Sequence, residues 1–482
     1  MNYAMIRFVL ARTFQLMAVL LLLPLLVALV YAEYNRMLIF AGLSAFFFVV
    51  GYLGAFKKPE NRLFFAREGF LMTALIWITI SLLGALPFRI SGEIPHYVDA
   101  VFETVSGFTT TGASILSDVE VLSKSTMFWR CFTHWIGGMG VLVFMLAILP
   151  LAGGSTMHLM RAESPGPSVG KFLPRVRGTA RVLYLIYISF TVTEIVLLLI
   201  TGLNLYEAST LTFSTVGTGG FSITNDGINP YPLASQIVII VFMIICGINF
   251  SVYYFFVTKK PKEALKSEEM RWYLVILFGV ATMIAIMLYR ANITATPGES
   301  FHHALFASSS IMTTTGFATL DFNLWPQLSR TLLFMLTLLG ACAGSTGGGF
   351  KVSRLIICVR RIKNELIFST HRKSVRQVYM DGHRVESTTV KSVMTYVSIY
   401  AFIYVLSFVL ISVDGFDFET NCTAVAATLN NVGPGLGMVG ATGNYGAYSV
   451  FSKIILSLDM LAGRLELIPL MILFRPKSWR GD

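Results

Sequence analysis

Met312-Thr313-Thr314-Thr315-Gly316-Phe317-Ala318 is one of four related stretches in this chain. The others are Phe108-Thr109-Thr110-Thr111-Gly112-Ala113-Ser114, Thr215-Val216-Gly217-Thr218-Gly219-Gly220-Phe221-Ser222 and Asn430-Asn431-Val432-Gly433-Pro434-Gly435. Each sets small hydroxyl or amide residues just ahead of a glycine. Aligned on Gly112, Gly220, Gly316 and Gly433, the copies lie 108, 96 and 117 residues apart. Similarity recurring at such a spacing marks a repeated structural unit.

The flanks of each copy share one order of parts. A long apolar run comes first, as at 71–87, 182–200 and 392–413. A segment of about a dozen residues follows: 98–109, 205–216, 300–312 and 418–430. A dozen helical residues rise about 18 Å, too little to cross ~30 Å of hydrocarbon. After the glycine comes a polar connection and a second apolar run, as at 237–257, carrying glycines in its middle: Gly137 and Gly138, Gly247, Gly344, and Gly463. The short segment therefore enters and leaves on one side, as a re-entrant half-helix followed by extended backbone. The fold expected is an all-α polytopic membrane protein, with four helix–re-entrant loop–helix repeats around a central pore. Two helices from the runs at 14–32 and 37–56 precede them, giving ten membrane helices. The expected divisions are 1–66 for that hairpin, 67–170, 171–265 and 266–375 for three repeats, and 376–482 for the fourth.

Composition agrees. Of 482 residues, 55% are hydrophobic and 13% charged, against about one quarter charged in an average soluble domain. The run at 14–32 exceeds the ~7–15-residue core of a signal peptide, and a second apolar run follows at once, so the hairpin is expected to stay in the membrane. The net charge of +11 does not imply a nucleic-acid partner. The basic residues collect between spans, near 57–68, 151–180, 258–271 and 358–391. The intervening connections hold acids: Glu93, Asp99, Glu103, Asp118, Glu120, Glu207, Asp226, Asp414, Asp417 and Glu419. This alternation follows the positive-inside rule and puts both termini in the cytoplasm. It also puts the acids at the outer mouth, where they raise local cation concentration. The long segment 358–391 suits either contact with anionic lipid or the docking of a partner.

Backbone outside a helix survives at membrane depth only where it lines a watery path or is buried in protein. Four extended segments around one axis present carbonyl oxygens that can replace an ion's hydration shell. Each half-helix aims its negative end at the same axis. The residues expected to hold the ion are Thr110, Thr111, Gly112, Thr218, Gly219, Gly220, Thr314, Thr315, Gly316, Asn431, Val432 and Gly433.

Other chemistries find little support. Cys131, Cys246, Cys342, Cys358 and Cys422 form no framework, and adjacent His302 and His303 do not converge on one metal. Gly344 and Gly349 have phosphate-loop spacing, but Phe350 precedes Lys351, Val352 follows it, and no strand leads in. The stretch 340–349 instead reads as a break in a membrane helix, forming a flexible loop beneath the four motifs. The last span carries Asp459, Arg464 and Glu466. At ~100° per residue neither Asp459 nor Glu466 falls beside Arg464, so the guanidinium needs a partner elsewhere. Glu194, in the first span of the second repeat, is expected to be a structural partner rather than an ion ligand.

These four motifs, with His134-Trp135-Ile136-Gly137-Gly138-Met139-Gly140 and the stretch from Gly340 to Lys351, resemble the Trk/Ktr/HKT superfamily of potassium transporters. The overall length and N-terminal hairpin are similar to its bacterial TrkH branch rather than the shorter KtrB branch. The resemblance implies potassium uptake across a bacterial inner membrane by a homodimer with one pore per subunit. It also implies a TrkA-type cytoplasmic regulatory partner that carries the nucleotide, with no covalent cofactor on this chain. It casts Gly344, Gly347, Gly348, Gly349, Lys351 and Arg464 as the gate. Glycine at all four aligned positions favours potassium over sodium, while Asn431-Val432-Gly433-Pro434 departs from the threonine-rich pattern. The alternative function is a proton- or sodium-coupled symporter.

Overall fold

The computed structural model describes residues 2–60, 66–140, 176–257, 261–371 and 376–474. Most of the basic segment 151–180, the division at 170/171, residue 375 and the last eight residues lie outside them.

α1 (Tyr3–Leu20) and α2 (Leu22–Val30) stack end to end as one span, and α3 (Tyr34–Ala55) turns back along it. Gly51 permits this close pairing, since a Cβ there would stand 2.7 Å from the Ala11 carbonyl oxygen.

The order span, half-helix, extended stretch, second helix then occurs four times. The first copy is α4 (Ala66–Gly84) with α5 (Leu86–Ser91), then α6 (Tyr97–Phe108) and α7 (Lys124–Gly138). The second is α8 (Val176–Ile200), α9 (Leu205–Val216), α10 (Leu233–Cys246) and α11 (Phe250–Val257), closed by a short α12 (Pro261–Leu265). The third is α13 (Glu268–Arg290), α14 (Pro297–Met312), α15 (Gln327–Leu339) and α16 (Val352–Thr370). The fourth is α17 (Ser387–Ile411), α18 (Phe418–Leu429), α19 (Val450–Arg464) and α20 (Ile468–Phe474). The half-helices α6, α9, α14 and α18 fall within about three residues of the segments read from the sequence. They are buried along most of their length, whereas α3 and α17 expose leucine, valine and phenylalanine to the bilayer.

Two features depart from expectation. A small hairpin, Tyr379–Met380 paired with His383–Arg384, sits in the connection before α17. Asp381 and Gly382 turn it with φ of 53° and 77°, the two-residue turn that suits strand twist. The run 237–257 is not one helix, because α10 and α11 meet at a bend of 93°. The cause is the glycine at the break. A Cβ on Gly247 would lie 2.8 Å from Thr313 Cγ2 at the end of α14. Gly347 and Gly463 likewise admit the Thr313 and Leu429 carbonyls, and Gly137 admits that of Phe108. The second helices of copies two, three and four are thus interrupted where the half-helices rest on them, and in copy one α7 ends at Gly138, beside the contact of Gly137 with Phe108.

Candidate functional site

The four half-helices end alike. Thr111 N–H reaches the Ser106 carbonyl at 2.8 Å, and Thr110 N–H that of Gly107 at 3.1 Å. The same pair of bonds recurs from Gly219 and Thr218 to Ser214 and Thr215, from Thr315 and Thr314 to Ser310 and Ile311, and from Val432 and Asn431 to Ala427 and Thr428. This is the Schellman closure, which requires a left-handed residue. Glycine usually fills that place. Here it is Thr110, Thr218, Thr314 and Asn431, with φ of 55°, 53°, 60° and 55°. A β-branched residue in this region is strained, and strain of this kind collects at functional sites. Two residues on, Gly112, Gly220, Gly316 and Gly433 take φ between 77° and 95°.

Those glycines close a ring. A Cβ on Gly112 would strike the Gly219 carbonyl, one on Gly220 that of Thr315, and one on Gly316 that of Val432. One on Gly433 would stand 2.6 Å from the Thr111 carbonyl oxygen. Each copy abuts the next, and the fourth returns to the first. All twelve residues expected to hold the ion meet here. Beneath the ring, Thr109 and Thr111 share a hydroxyl bond of 2.8 Å, as do Thr313 and Thr315. Asn431 Nδ2 donates to Thr111 Oγ1 at 3.0 Å and to the Met460 carbonyl at 2.8 Å. Thr110 Oγ1 and Asn431 Oδ1 are buried with no hydrogen-bond partner among the described residues. Buried oxygen acceptors left open are costly unless something else satisfies them. Carbonyl, hydroxyl and amide oxygens around one axis are a donor set for a hard monovalent cation.

Side chains that the sequence reading passed over brace this ring. His134 Nε2 accepts the Phe221 N–H at 3.3 Å, so Nδ1 carries the proton and donates to the Gly107 carbonyl at 2.8 Å. Arg130, one turn away on α7, pairs with buried Glu103 at 2.7 Å, donates to the Ser222 carbonyl at 3.0 Å and stacks over Phe221 at 3.5 Å. Together they fix the strands leaving copies one and two. The His134–Gly140 motif contained part of this signal; nothing in the sequence marked Glu103 as its anchor. Glu103 was one of the acids expected to attract cations at the mouth. It is buried, and Asp99 and Glu93 pair with Lys453 and Arg36. These carboxylates knit the rim rather than lying open to water.

The glycine-rich loop lies under the ring, but it is held firmly. Gly348 N–H donates to Thr314 Oγ1 at 2.8 Å. Glu269 accepts the amides of Ala343 at 2.7 Å and Ser353 at 3.0 Å, pinning both ends. Lys351, at φ 76°, folds its ammonium onto the carbonyls of Gly347 and Gly348, and the Gly344 carbonyl accepts Phe250 N–H. Gly349, at φ 78°, abuts Gly340. Arg464 donates to the Thr346 carbonyl at 2.8 Å, the Gly138 carbonyl at 2.9 Å and that of Gly137. It therefore ties the fourth copy to the loop and to the end of α7. Glu466 pairs instead with Arg354, and Asp459 accepts Ser407 Oγ at 2.7 Å. Glu194 is fully buried beside Thr215, whose hydroxyl is given to the Leu211 carbonyl. Among those residues no group of histidines, cysteines and acids could hold a metal.

Residues 35–480 match the family described as TrkH, cation transport protein. The chain is 36% identical to the Trk system potassium uptake protein TrkH of Vibrio parahaemolyticus over 97% of each sequence. It is 33% identical to the protein of the same name from Escherichia coli strain K12, over 95% of each. The crystal structure of the potassium transporter TrkH from Vibrio parahaemolyticus superposes with a TM-score of 0.89 over the whole of both chains, at 31% identity.

Proposed function

The chain belongs to the TrkH family of cation transport proteins, and on that premise we propose that it carries potassium into the cell through the ring of four loops. One observation carries the reading: a single backbone conformation, a left-handed residue and then a glycine, occurs at the end of all four half-helices and closes on itself. Carbonyls from the twelve ring residues replace the ion's water, and the half-helix ends add negative potential.

The glycine-rich loop and Arg464 are the closed gate in series with the ring. A guanidinium ~4 Å from a potassium ion, at an effective dielectric of ~20, opposes it by ~4 kcal/mol. That is roughly a thousandfold in rate. A TrkA-type cytoplasmic partner, carrying the nucleotide, opens the gate from the basic segment 358–391. Two copies of the chain sit in a bacterial inner membrane with their termini in the cytoplasm, their exposed spans against lipid. The divisions 1–66, 67–170, 171–265, 266–375 and 376–482 then correspond to the hairpin and four pore repeats. The test is rubidium uptake into sealed vesicles holding the purified protein, with and without a proton or sodium gradient. Uptake that follows the rubidium gradient alone supports a channel-like path. A strict need for a second gradient would replace it with coupled symport.

A further inference from the structure

We propose that Tyr445 sets the ion preference of the outermost ring by engaging one of its four carbonyls; this rests on the filter reading above. Tyr445 Oη donates to the Gly433 carbonyl at 2.8 Å. The corresponding carbonyls of Gly112, Gly220 and Gly316 accept no hydrogen bond from any described residue. Among the described residues the ring thus has three unbonded oxygens and one bonded.

The tyrosine is fixed in place. It is 2% exposed, and its ring lies between Phe102 and Tyr448, with centroids at 5.6 and 6.1 Å. Its backbone N–H bonds to the Ser114 carbonyl at 2.8 Å. Ser114 is held in turn by Glu103 at 3.0 Å. The hydroxyl is therefore anchored on the strand leaving the first copy while it grips the fourth. A phenol proton takes one lone pair of the carbonyl oxygen and fixes its direction. A cation at the same oxygen competes with that proton. Discrimination between potassium and sodium depends on the number and field strength of the oxygens around the ion. A carbonyl that gives one of its two lone pairs to the phenol coordinates an ion less fully, and a ring with fewer full ligands favours the smaller ion, so Tyr445 lowers the potassium preference of this ring.

Tyr445→Phe keeps the ring and removes only the hydroxyl. Expected is an increase of about fivefold in the sodium concentration needed to halve rubidium uptake into vesicles holding the full-length protein, the size of one neutral hydrogen bond. Tyr448→Phe is the control. It removes an equally buried bond in the same loop, 2.9 Å to Asn421 Oδ1, and is expected to leave sodium competition unchanged. Both variants are first checked for wild-type elution and melting. Unchanged competition in Tyr445→Phe overturns the assignment, and so does stronger sodium competition, which would make Tyr445 a plain brace. An equal shift in Tyr448→Phe overturns it as well. Gly112→Ser separates this from the parent reading, because its new Cβ strikes the Gly219 carbonyl. If Gly112→Ser shifts competition and Tyr445→Phe does not, only the tyrosine falls. If Gly112→Ser is also silent, the filter reading fails.

Discussion

Thr110, Thr218 and Thr314 hold β-branched side chains where glycine would sit without strain. At Thr314 the hydroxyl supplies what glycine could not. Thr314 Oγ1 accepts the Gly348 amide, so a residue of the ring also holds the loop beneath it. Thr314→Val keeps the shape and loses the acceptor. Rubidium flux through the protein without a regulator should rise about fivefold, for one lost hydrogen bond of ~1 kcal/mol; flux equal to wild type would show the loop held by its other bonds. Arg464→Ala removes three bonds to carbonyls and the positive charge together. Regulator-free flux should rise by roughly a thousandfold, the size of the charge barrier removed. Lower flux, with folding intact, would place the barrier elsewhere.

The half-helices are short and depend on their caps. Asp417 accepts the Thr420 hydroxyl at 2.6 Å and the Thr420 amide at 3.0 Å at the start of α18. These bonds hold its carboxyl below the ordinary aspartate value. The stabilisation is therefore present above about pH 4 and is lost as pH falls through the lowered value. Asp417→Ala should lower stability by about 1 kcal/mol at neutral pH, and the difference from wild type should shrink in acid; thermal melting at the two pH values measures it. The half-helices and their glycines were legible in the sequence because their signals are local: a run too short to cross, then a glycine. The anchoring of the loop was not. Glu269, which grips it, lies 74 and 84 residues away. In the first turn of α13 an acid reads as a complement to the helix dipole, so its second task leaves no trace in the pattern. Tyr445 was illegible for a like reason, since a tyrosine in a polar connection carries no period.

The whole ring is tied a second time at its outer rim. Lys124 lies over the Tyr206 ring at 5.0 Å, and Gln236 meets His302 at 2.8 Å. Arg330 pairs with Glu419, and Lys453 with Asp99 at 2.7 Å. Each link joins the second helix of one copy to the half-helix of the next, and the last joins copy four to copy one. The hairpin is latched on as well, because Glu33 accepts the amides of Lys124 and Ser125 at 2.8 and 3.0 Å. Lys453→Met opens the closing link and leaves Asp99 uncompensated and partly buried. A loss of about 1–2 kcal/mol is expected, seen as a lower melting temperature. Adding Asp99→Asn should recover part of it; no recovery would mean that the lysine acts through its apolar stem.

Because the ring is spelled out once along a single polypeptide, one codon alters one wall. A pore assembled from four identical subunits receives every mutation four times over, so most changes near its ion are lost outright. Here a change arrives as a quarter dose, and the three remaining walls can keep the protein working while the fourth is tried in a new form. The wall built from Asn431, Val432, Pro434 and Tyr445 differs most from the threonine-rich wording of the others. With the ring as the filter proposed above, ion preference can be retuned by inheritance in small steps, with no need for a second gene.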